Sequence, residues 1–176
     1  MAARQTSVAA AALGFPGMLS DATPHQCDSR VSEEASAEIP FGTMVIRGAD
    51  EDNGALQLHT SSAATVALLA GIVVHTHNYA KPTQLGDIGL KPGVVLNLLQ
   101  KGRIWVTTED ACDPGDTVKV RAIAAGAEVK GAFRVAADAS DCVDISKFAR
   151  WITSAGAGGV AMLEIDMTNA SQATAD

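Results

Sequence analysis

One spacing in the chain is typical of a metal-ligand set. His75-Thr76-His77 places two imidazoles on the same face of a strand. Zinc or non-haem iron would need a third and usually a fourth ligand, and Asp87 or Glu109 could supply a carboxylate. That set would make the chain a metal-dependent jelly-roll enzyme. Two solvated histidines at a strand end give the same pattern, and we prefer this interpretation, with no metal and no cofactor.

Two other patterns that suggest chemistry lack an essential part. The glycine-rich residues 156–159 resemble a phosphate loop, but a dinucleotide site needs a helix after the loop, and residues 160–166 read as a strand. The three cysteines are odd in number, widely spaced and without a CxxC pair: Cys27, Cys112 and Cys142. This spacing argues against a disulfide framework and a structural zinc site, and favours reduced thiols.

Two tryptophans offer a further alternative. Trp105 or Trp151 could stack on a sugar, which would make the chain a carbohydrate-binding or host-attachment module. Each lies in a segment of mixed polarity, which favours a position in the core or at an interface. No set of residues forms a complete catalytic site, so we expect a protein that is not an enzyme and has no catalytic residues.

Composition and charge exclude several classes of partner. Hydrophobic residues make up 47% of the chain but aromatic residues only 4%, which favours a thin β core. The net charge is −7, and an acidic chain without a basic stripe lacks the footprint of a nucleic-acid binder. No segment approaches the roughly 20 apolar residues of a membrane span. We therefore expect neither a nucleic acid nor a membrane as partner.

The first part of the chain differs from the rest. Residues 1–38 contain two glycines, two prolines and five acidic residues, and no sustained period of 2 or 3.6. Such a segment is expected to bury no face against its own domain and to form an extended arm that is either mobile or ordered only on a partner. We take Phe15, Met18 and Leu19 as its apolar anchors, with Asp21 and Arg30 as further partner-binding residues.

Residues 39–166 read as a β domain, followed by a polar tail at 167–176. About nine short strands are separated by turns every 8–12 residues, which is the signature of a sandwich or barrel. Lys101-Gly102 is predicted to turn the chain between a strand at 94–99 and another at 104–108. In residues 117–123, alternation predicts that Val118 and Val120 face the core and that Arg121 faces water.

An ordered series of short motifs resembles the structural cement, or decoration, proteins of tailed-phage heads. The series runs from about residue 14 to residue 166. Its members are Gly14-Phe15-Pro16-Gly17-Met18-Leu19-Ser20-Asp21, Asp28-Ser29-Arg30-Val31, Ile39-Pro40-Phe41-Gly42, the segment at 98–106 that resembles a family hairpin, Gly131-Ala132-Phe133-Arg134, Ala149-Arg150-Trp151-Ile152-Thr153 and Val160-Ala161-Met162-Leu163-Glu164-Ile165.

The resemblance implies a jelly roll or related β-barrel on the outer surface of a capsid. It implies that the protein bridges neighbouring major capsid subunits as a small homo-oligomer, with a dimer slightly favoured over a trimer. It also implies no enzymatic activity and no cofactor. The expected location is the virion, after synthesis in the cytoplasm of the bacterial host.

Overall fold

A computed structural model describes most of the chain. The described residues are 14–20, 23–34, 38–48, 56–58, 66–76, 89–90, 93–124, 126–138 and 142–168, with backbone alone at 56–58, 67 and 89. They form twelve strands and one short 3-10 turn, Val66–Leu68. The strands are β1 Gln26–Val31, β2 Ile39–Pro40, β3 Met44–Arg47, β4 Leu56–Leu58, β5 Leu69–Val73, β6 Gly89–Leu90, β7 Val95–Thr107, β8 Lys119–Arg121, β9 Phe133–Arg134, β10 Cys142–Asp144, β11 Ala149–Trp151 and β12 Val160–Asp166.

The strands form one large sheet and two small ones. The large sheet has the order β11-β12-β7-β5-β3-β4, with β1 also paired to β7, and every pairing is antiparallel. The small sheets are β10-β8-β9 and β2-β6. The prediction of an all-β fold is confirmed, while the jelly-roll form stays a prediction. Among the described residues there is no helix long and apolar enough to cross a membrane.

Strand β7 is one continuous strand of 13 residues. The sequence predicted a hairpin with its turn at Lys101-Gly102, and that prediction is wrong. Near Leu98 and Leu99 the strand pairs with β1 and β5, so these two lie on opposite edges. At Ile104 it pairs with β12 and, through a single bridge, with Leu19. Neighbours on both edges satisfy the backbone of β7, and these long-range pairings outweigh the local turn signal.

Gly102 lets another segment pass directly over β7. Its φ is +132°, and a Cβ at this position would lie 2.9 Å from the Cβ of His25 and 3.3 Å from the carbonyl oxygen of Pro24. Pro24 and His25, just before β1, therefore lie over the face of the strand where a side chain would stand. The close approach of another segment therefore explains the glycine at position 102. Such an approach is a common reason for a glycine inside a strand.

The N-terminal segment packs on its own domain. The amide of Gly17 donates to the carbonyl of Trp105 at 2.8 Å, and the amide of Trp105 donates to the carbonyl of Met18 at 2.9 Å. Further along, Cys27 to Val31 pair with Leu99 to Val95. The expectation that residues 1–38 bury no face against their own domain is thus wrong for these parts. The boundary between residues 38 and 39 stays a prediction.

The core has two parts that share β7. Leu99, Ile104 and Val106 lie in a larger cluster, which also contains Trp151 and Phe133. Leu96 and Leu98 lie in a smaller cluster around Ile39, Phe41 and Leu90. A strand that contributes to two clusters is buried on both of its faces, and here each of these β7 side chains is fully buried.

Several local predictions are confirmed. The amide of Asp116 donates to the carbonyl of Asp113 at 3.1 Å, which closes the predicted Asp-Pro-Gly-Asp turn. Val118 and Val120 are fully buried as alternation predicted, and residues 160–166 form β12.

A carboxylate between two guanidinium groups joins three strands on the surface. Glu164 of β12 lies opposite Arg103 of β7 and Arg150 of β11. Arg103 donates from Nε to one carboxylate oxygen at 2.6 Å, and Arg150 donates from Nε to the other at 2.9 Å. The hydrogen bond from Arg103 lowers the pKa of Glu164, burial opposes this, and Arg150 lowers the pKa further.

Replacing Gly102 with alanine is expected to destabilise the fold through both backbone strain and contact with His25. The free energy of unfolding should fall by about 2–4 kcal/mol, measured by urea denaturation. Gly115→Ala is the matched control, because Gly115 also has positive φ (+104°) but a Cβ there would meet no other atom within 4 Å. The control should lose only about 1–2 kcal/mol. Equal losses would contradict the close approach over β7.

The ion pairs of Glu164 should make part of the stability depend on pH. Because the folded-state pKa is lowered, this contribution is present above the ordinary value of 4.5 and is lost as the pH falls through the folded-state pKa. Glu164→Gln should cost about 1 kcal/mol at pH 7 and nothing near pH 3, by urea denaturation. The exposed Glu38 provides the control, and Glu38→Gln should change stability at neither pH. A Glu164→Gln loss of equal size at both pH values would contradict the role of the charge.

Candidate functional site

An open cleft of about 940 Å³ lies between the N-terminal segment and the small sheet β10-β8-β9. Its walls come from residues 15–16, 40–43, 107–110, 127–129, 132 and 134, with single residues from other parts of the chain. One end is apolar and the other is charged. The cleft thus joins parts of the chain that are far apart in sequence, and the fold fixes their relative positions.

Three backbone segments meet closely at the apolar end. Gly42 has φ +73°, and a Cβ there would lie 2.8 Å from the amide nitrogen of Gly17. The amide of His75 donates to the carbonyl of Gly17 at 2.8 Å. The amide of Gly17 also donates a hydrogen bond to the carbonyl of Trp105 in β7. The apolar end is therefore anchored to the central strand.

Two phenylalanine rings flank the imidazole of His75. The ring centroids of Phe15 and His75 lie 4.9 Å apart, edge to face, and those of Phe41 and His75 lie 4.5 Å apart. Phe41 is buried, whereas Phe15 is 44% exposed. A large aromatic side chain held in place by neighbours but open to solvent is typical of a surface that contacts a partner.

Arg121 lies at the centre of the charged end and is only 2% exposed. Its guanidinium donates to both carboxylate oxygens of Glu109, at 2.8 Å from Nε to Oε1 and 2.8 Å from Nη2 to Oε2. It also donates to Asp138 at 3.1 Å and forms an ion pair with Glu128 at 2.9 Å. The prediction that Arg121 faces water is wrong, because these carboxylates compensate the cost of burying its charge.

Arg134 completes the cluster. It donates from Nη1 to Glu109 at 3.1 Å and to Asp138 at 3.2 Å, and it lies 3.5 Å from Asp110. The lining contains four carboxylates, of Glu109, Asp110, Glu128 and Asp138, against two guanidinium groups. The charged end therefore carries a net charge of −2, which favours a cationic partner group.

Arg121 is suited to holding charged groups in place rather than to transferring a proton. The hydrogen bonds to Glu109 raise the pKa of Arg121 above its already high ordinary value, burial opposes this, and Asp138 raises the pKa further. Arg121 stays positively charged at any physiological pH, so it can orient a charged group but cannot exchange a proton. The sequence patterns did not predict this cluster. The one available signal was an arginine between apolar neighbours, in Val120-Arg121-Ala122.

The proposed metal set is not brought together in the described part of the chain. His75 lies between two phenylalanine rings, and Glu109 is bound to Arg121 and Arg134. His77 and Asp87 lie outside the described residues. Among those described, no group of three His, Cys, Asp or Glu side chains could hold a metal ion.

Neither tryptophan offers a platform for a sugar. Trp105 is 7% exposed, and Gly14 lies against its indole ring. Trp151 is 2% exposed, and its Nε1 donates to the carbonyl of Thr117 at 3.2 Å. Both are core residues, so the feature that suggested a carbohydrate-binding module is explained by packing.

The thiols are unpaired and poorly placed for catalysis. Cys27 is exposed, Cys142 is half-buried and Cys112 is buried. Burial raises the pKa of the Cys112 thiol, although its hydrogen bond with Ala155 opposes the shift. A thiol with a raised pKa is protonated at neutral pH and is a weak nucleophile.

The predicted partner-binding residues have different environments. Phe15 lines the cleft and is exposed, whereas Leu19 packs against the larger core cluster. Met18 is half-buried, and its backbone pairs with Trp105. Arg30 lies on β1, where its Nε pairs with Asp28 at 2.7 Å. Asp21 lies outside the described residues. Only Phe15 among them is a cleft residue.

Removing the positive charge of Arg121 should leave Glu109 and Asp138 without their main partner. Arg121→Met is expected to lower the free energy of unfolding by about 2–4 kcal/mol, measured by urea denaturation, because one side of a buried ion-pair cluster is lost. Arg150→Met is the matched control. Arg150 also pairs with a carboxylate but is 66% exposed, so its loss should cost less than about 1 kcal/mol. Equal losses of stability in the two variants would contradict the conclusion that the burial of Arg121 makes its ion pairs more important.

Comparison with known proteins shows which family and which solved fold this chain is similar to. Residues 4–166 match a family model described as structural cement protein (E217 gp24/Pam3 gp6). Among solved structures, a chain of the capsid of Myoviridae phage XM1 is similar, with a TM-score of 0.66 and 16% sequence identity. The similarity covers 94% of this chain and 98% of that one. A search of curated proteins gave no significant match.

Proposed function

The chain belongs to the structural cement protein family, and we propose that it coats a tailed-phage capsid and bridges neighbouring major capsid subunits on the outer surface. The observation that carries this proposal is the family match over residues 4–166, which spans almost the whole chain. The similarity to a phage capsid chain is in fold alone, and it agrees with the family. The protein acts in the virion, after synthesis in the bacterial cytoplasm.

A structural role accounts for the chemistry of the cleft. Its charged groups are engaged with one another through ion pairs, and Arg121 cannot release a proton at physiological pH. On this proposal the protein has no enzymatic activity and needs no cofactor. It binds the major capsid protein and itself, and neither a nucleic acid nor a membrane.

The cleft is the proposed contact surface for a major capsid subunit. Phe15 and Val129 are 44% and 42% exposed, and both line it beside the net negative charge. A complementary partner segment would insert an apolar side chain near Phe15 and place a lysine or arginine near Glu128 and Asp138. Exposed aromatic side chains in a preformed cleft are typical anchors of such contacts.

The finer architecture implied by the family is part of the proposal. On this proposal residues 39–166 form a jelly roll or related barrel, the part of residues 1–38 that does not pair with β7 extends from it, and residues 167–176 form a tail. The curled set of antiparallel strands around two core clusters supports this description. Part of the N-terminal segment returns to β7, so only the remainder of that segment is available to reach a neighbouring subunit.

Binding to capsids that lack the protein should be saturable. Purified protein added to capsids assembled without this gene should sediment with them at a fixed ratio to the major capsid protein. Phe15→Ala should weaken binding by about tenfold to thirtyfold, because a hot-spot aromatic contributes roughly 1.5–2 kcal/mol. Quantitative gel analysis of the sedimented capsids measures both results.

Leu68→Ala is the matched control for Phe15→Ala. Leu68 is 41% exposed but does not line the cleft, so binding should be unchanged. Point substitutions are preferable to deletion of residues 1–38, which would remove β1 from the large sheet. Equal binding of all three proteins would reject the cleft as the contact, and absence of saturable binding would reject the cement role.

A further inference from the structure

Within the part of the chain that the structure describes, strand β1 has one paired edge and one open edge. Among the described residues its ladder partner is β7. The amide of Ser29 donates its hydrogen bond to its neighbour's side chain, the Asp28 carboxylate, at 2.9 Å. It therefore points away from β7. Because hydrogen-bonding direction alternates along a strand, Cys27 and Val31 also present their backbone groups to the open edge. All three residues are exposed.

The charged side chains of β1 would be complementary between two copies of the strand related by a two-fold axis at Ser29. Asp28 precedes Ser29 and Arg30 follows it, and the two side chains pair within the chain at 2.7 Å. If a second β1 lay antiparallel on the open edge with the two-fold axis at Ser29, each Asp28 would stand opposite the other copy's Arg30. These would be the non-hydrogen-bonded positions, where side chains on paired strands approach most closely.

We propose that two copies of this chain associate through the open edges of their β1 strands, with the two-fold axis at Ser29. Cys27, Ser29 and Val31 would supply the backbone hydrogen bonds across the axis. The two aspartates and two arginines would form a square of alternating charge. Asp28, which binds the Ser29 amide in the single chain, would release it to the partner strand.

An exposed apolar pair supports a second copy as the occupant of this edge. Val31 and Val95 are 40% and 44% exposed and lie opposite each other in the β1–β7 ladder, next to the open edge. In the proposed pairing, Val31 lies opposite Cys27 of the other copy. An open strand edge with apolar side chains beside it is the usual site of strand addition.

The proposed pairing leaves the cleft free. None of the six described residues of β1 lines the cleft, so a pair of chains would present two clefts related by the same axis. This inference rests on the self-association in the proposed function and deepens it by naming the surface and the axis. It is tested without capsids, so its failure can be told from a failure of the capsid role.

Charge reversal tests the register of the pairing. Sedimentation velocity of the full chain should show a dimer. Asp28→Arg and Arg30→Asp should each weaken it by about tenfold or more, because two attractive pairs become repulsive. The double variant Asp28→Arg, Arg30→Asp should restore the dimer. A mixture of the two single variants should form a heterodimer, because all facing pairs are then opposite in charge.

Disulfide formation supplies an independent test of the axis. In a chain with Cys27→Ser and Cys142→Ser, adding Ser29→Cys should give a covalent dimer under mild oxidation. Residues facing across hydrogen-bonded antiparallel positions are about 5.5 Å apart at Cα, within the disulfide range. Val31→Cys in the same background should not cross-link, but with Cys27 retained it should.

Three outcomes would overturn the proposal. One is a monomer at all concentrations, and another is a trimer, which a two-fold edge pairing cannot produce. The third is a dimer unaffected by charge reversal and not cross-linked at Ser29→Cys, which would place the interface elsewhere. Thermal unfolding of each variant at low concentration checks that the domain itself is intact, since the partly exposed Asp28–Arg30 pair contributes little to stability.

Discussion

The rest of the structure depends on the complete burial and pairing of β7. Its leucine and isoleucine side chains enter both core clusters, and its backbone pairs with β1, β5, β12 and the bridge residue Leu19. A central strand with buried faces must have its backbone groups satisfied by neighbours, because water cannot reach them. The N-terminal segment supplies part of that pairing, which makes it a component of the sheet.

The same constraint determines the cleft. Trp105 accepts a backbone hydrogen bond from Gly17 and donates one to Met18, and the carbonyl of Gly17 accepts a hydrogen bond from the amide of His75. Phe15 is fixed two positions before Gly17 and contacts the His75 ring. At the other end, Arg121 is held by carboxylates from segments before and after it in the sequence. A rigid cleft with opposed apolar and charged ends loses little conformational entropy when a partner binds.

Local patterns in the sequence predicted local structure well. The Asp113–Asp116 turn, the burial of Val118 and Val120, and β12 all depend on short-range turn chemistry and alternation. Three features depend on contacts between distant residues, and these were missed. Gly102 looked like a turn but is a point of close approach, residues 17–20 and 26–31 lack periodicity yet pair with β7, and Arg121 is buried by carboxylates that alternation cannot reveal. A strand that adds to the edge of an existing sheet needs no alternation of apolar side chains, because its backbone hydrogen bonds make the pairing.

The pairing of β1 with β7 also constrains the order in which the chain can fold. Cys27 pairs with Leu99, which is 72 positions later (99 − 27), and Gln26 pairs with Lys101. During synthesis on the ribosome, β1 therefore has no partner strand until residues near 101 have emerged. Closing so long a loop is slow, and strands whose edges stay unpaired in the meantime are prone to aggregate. The polar character of β1, with Asp28, Ser29 and Arg30, keeps this early segment soluble during that time.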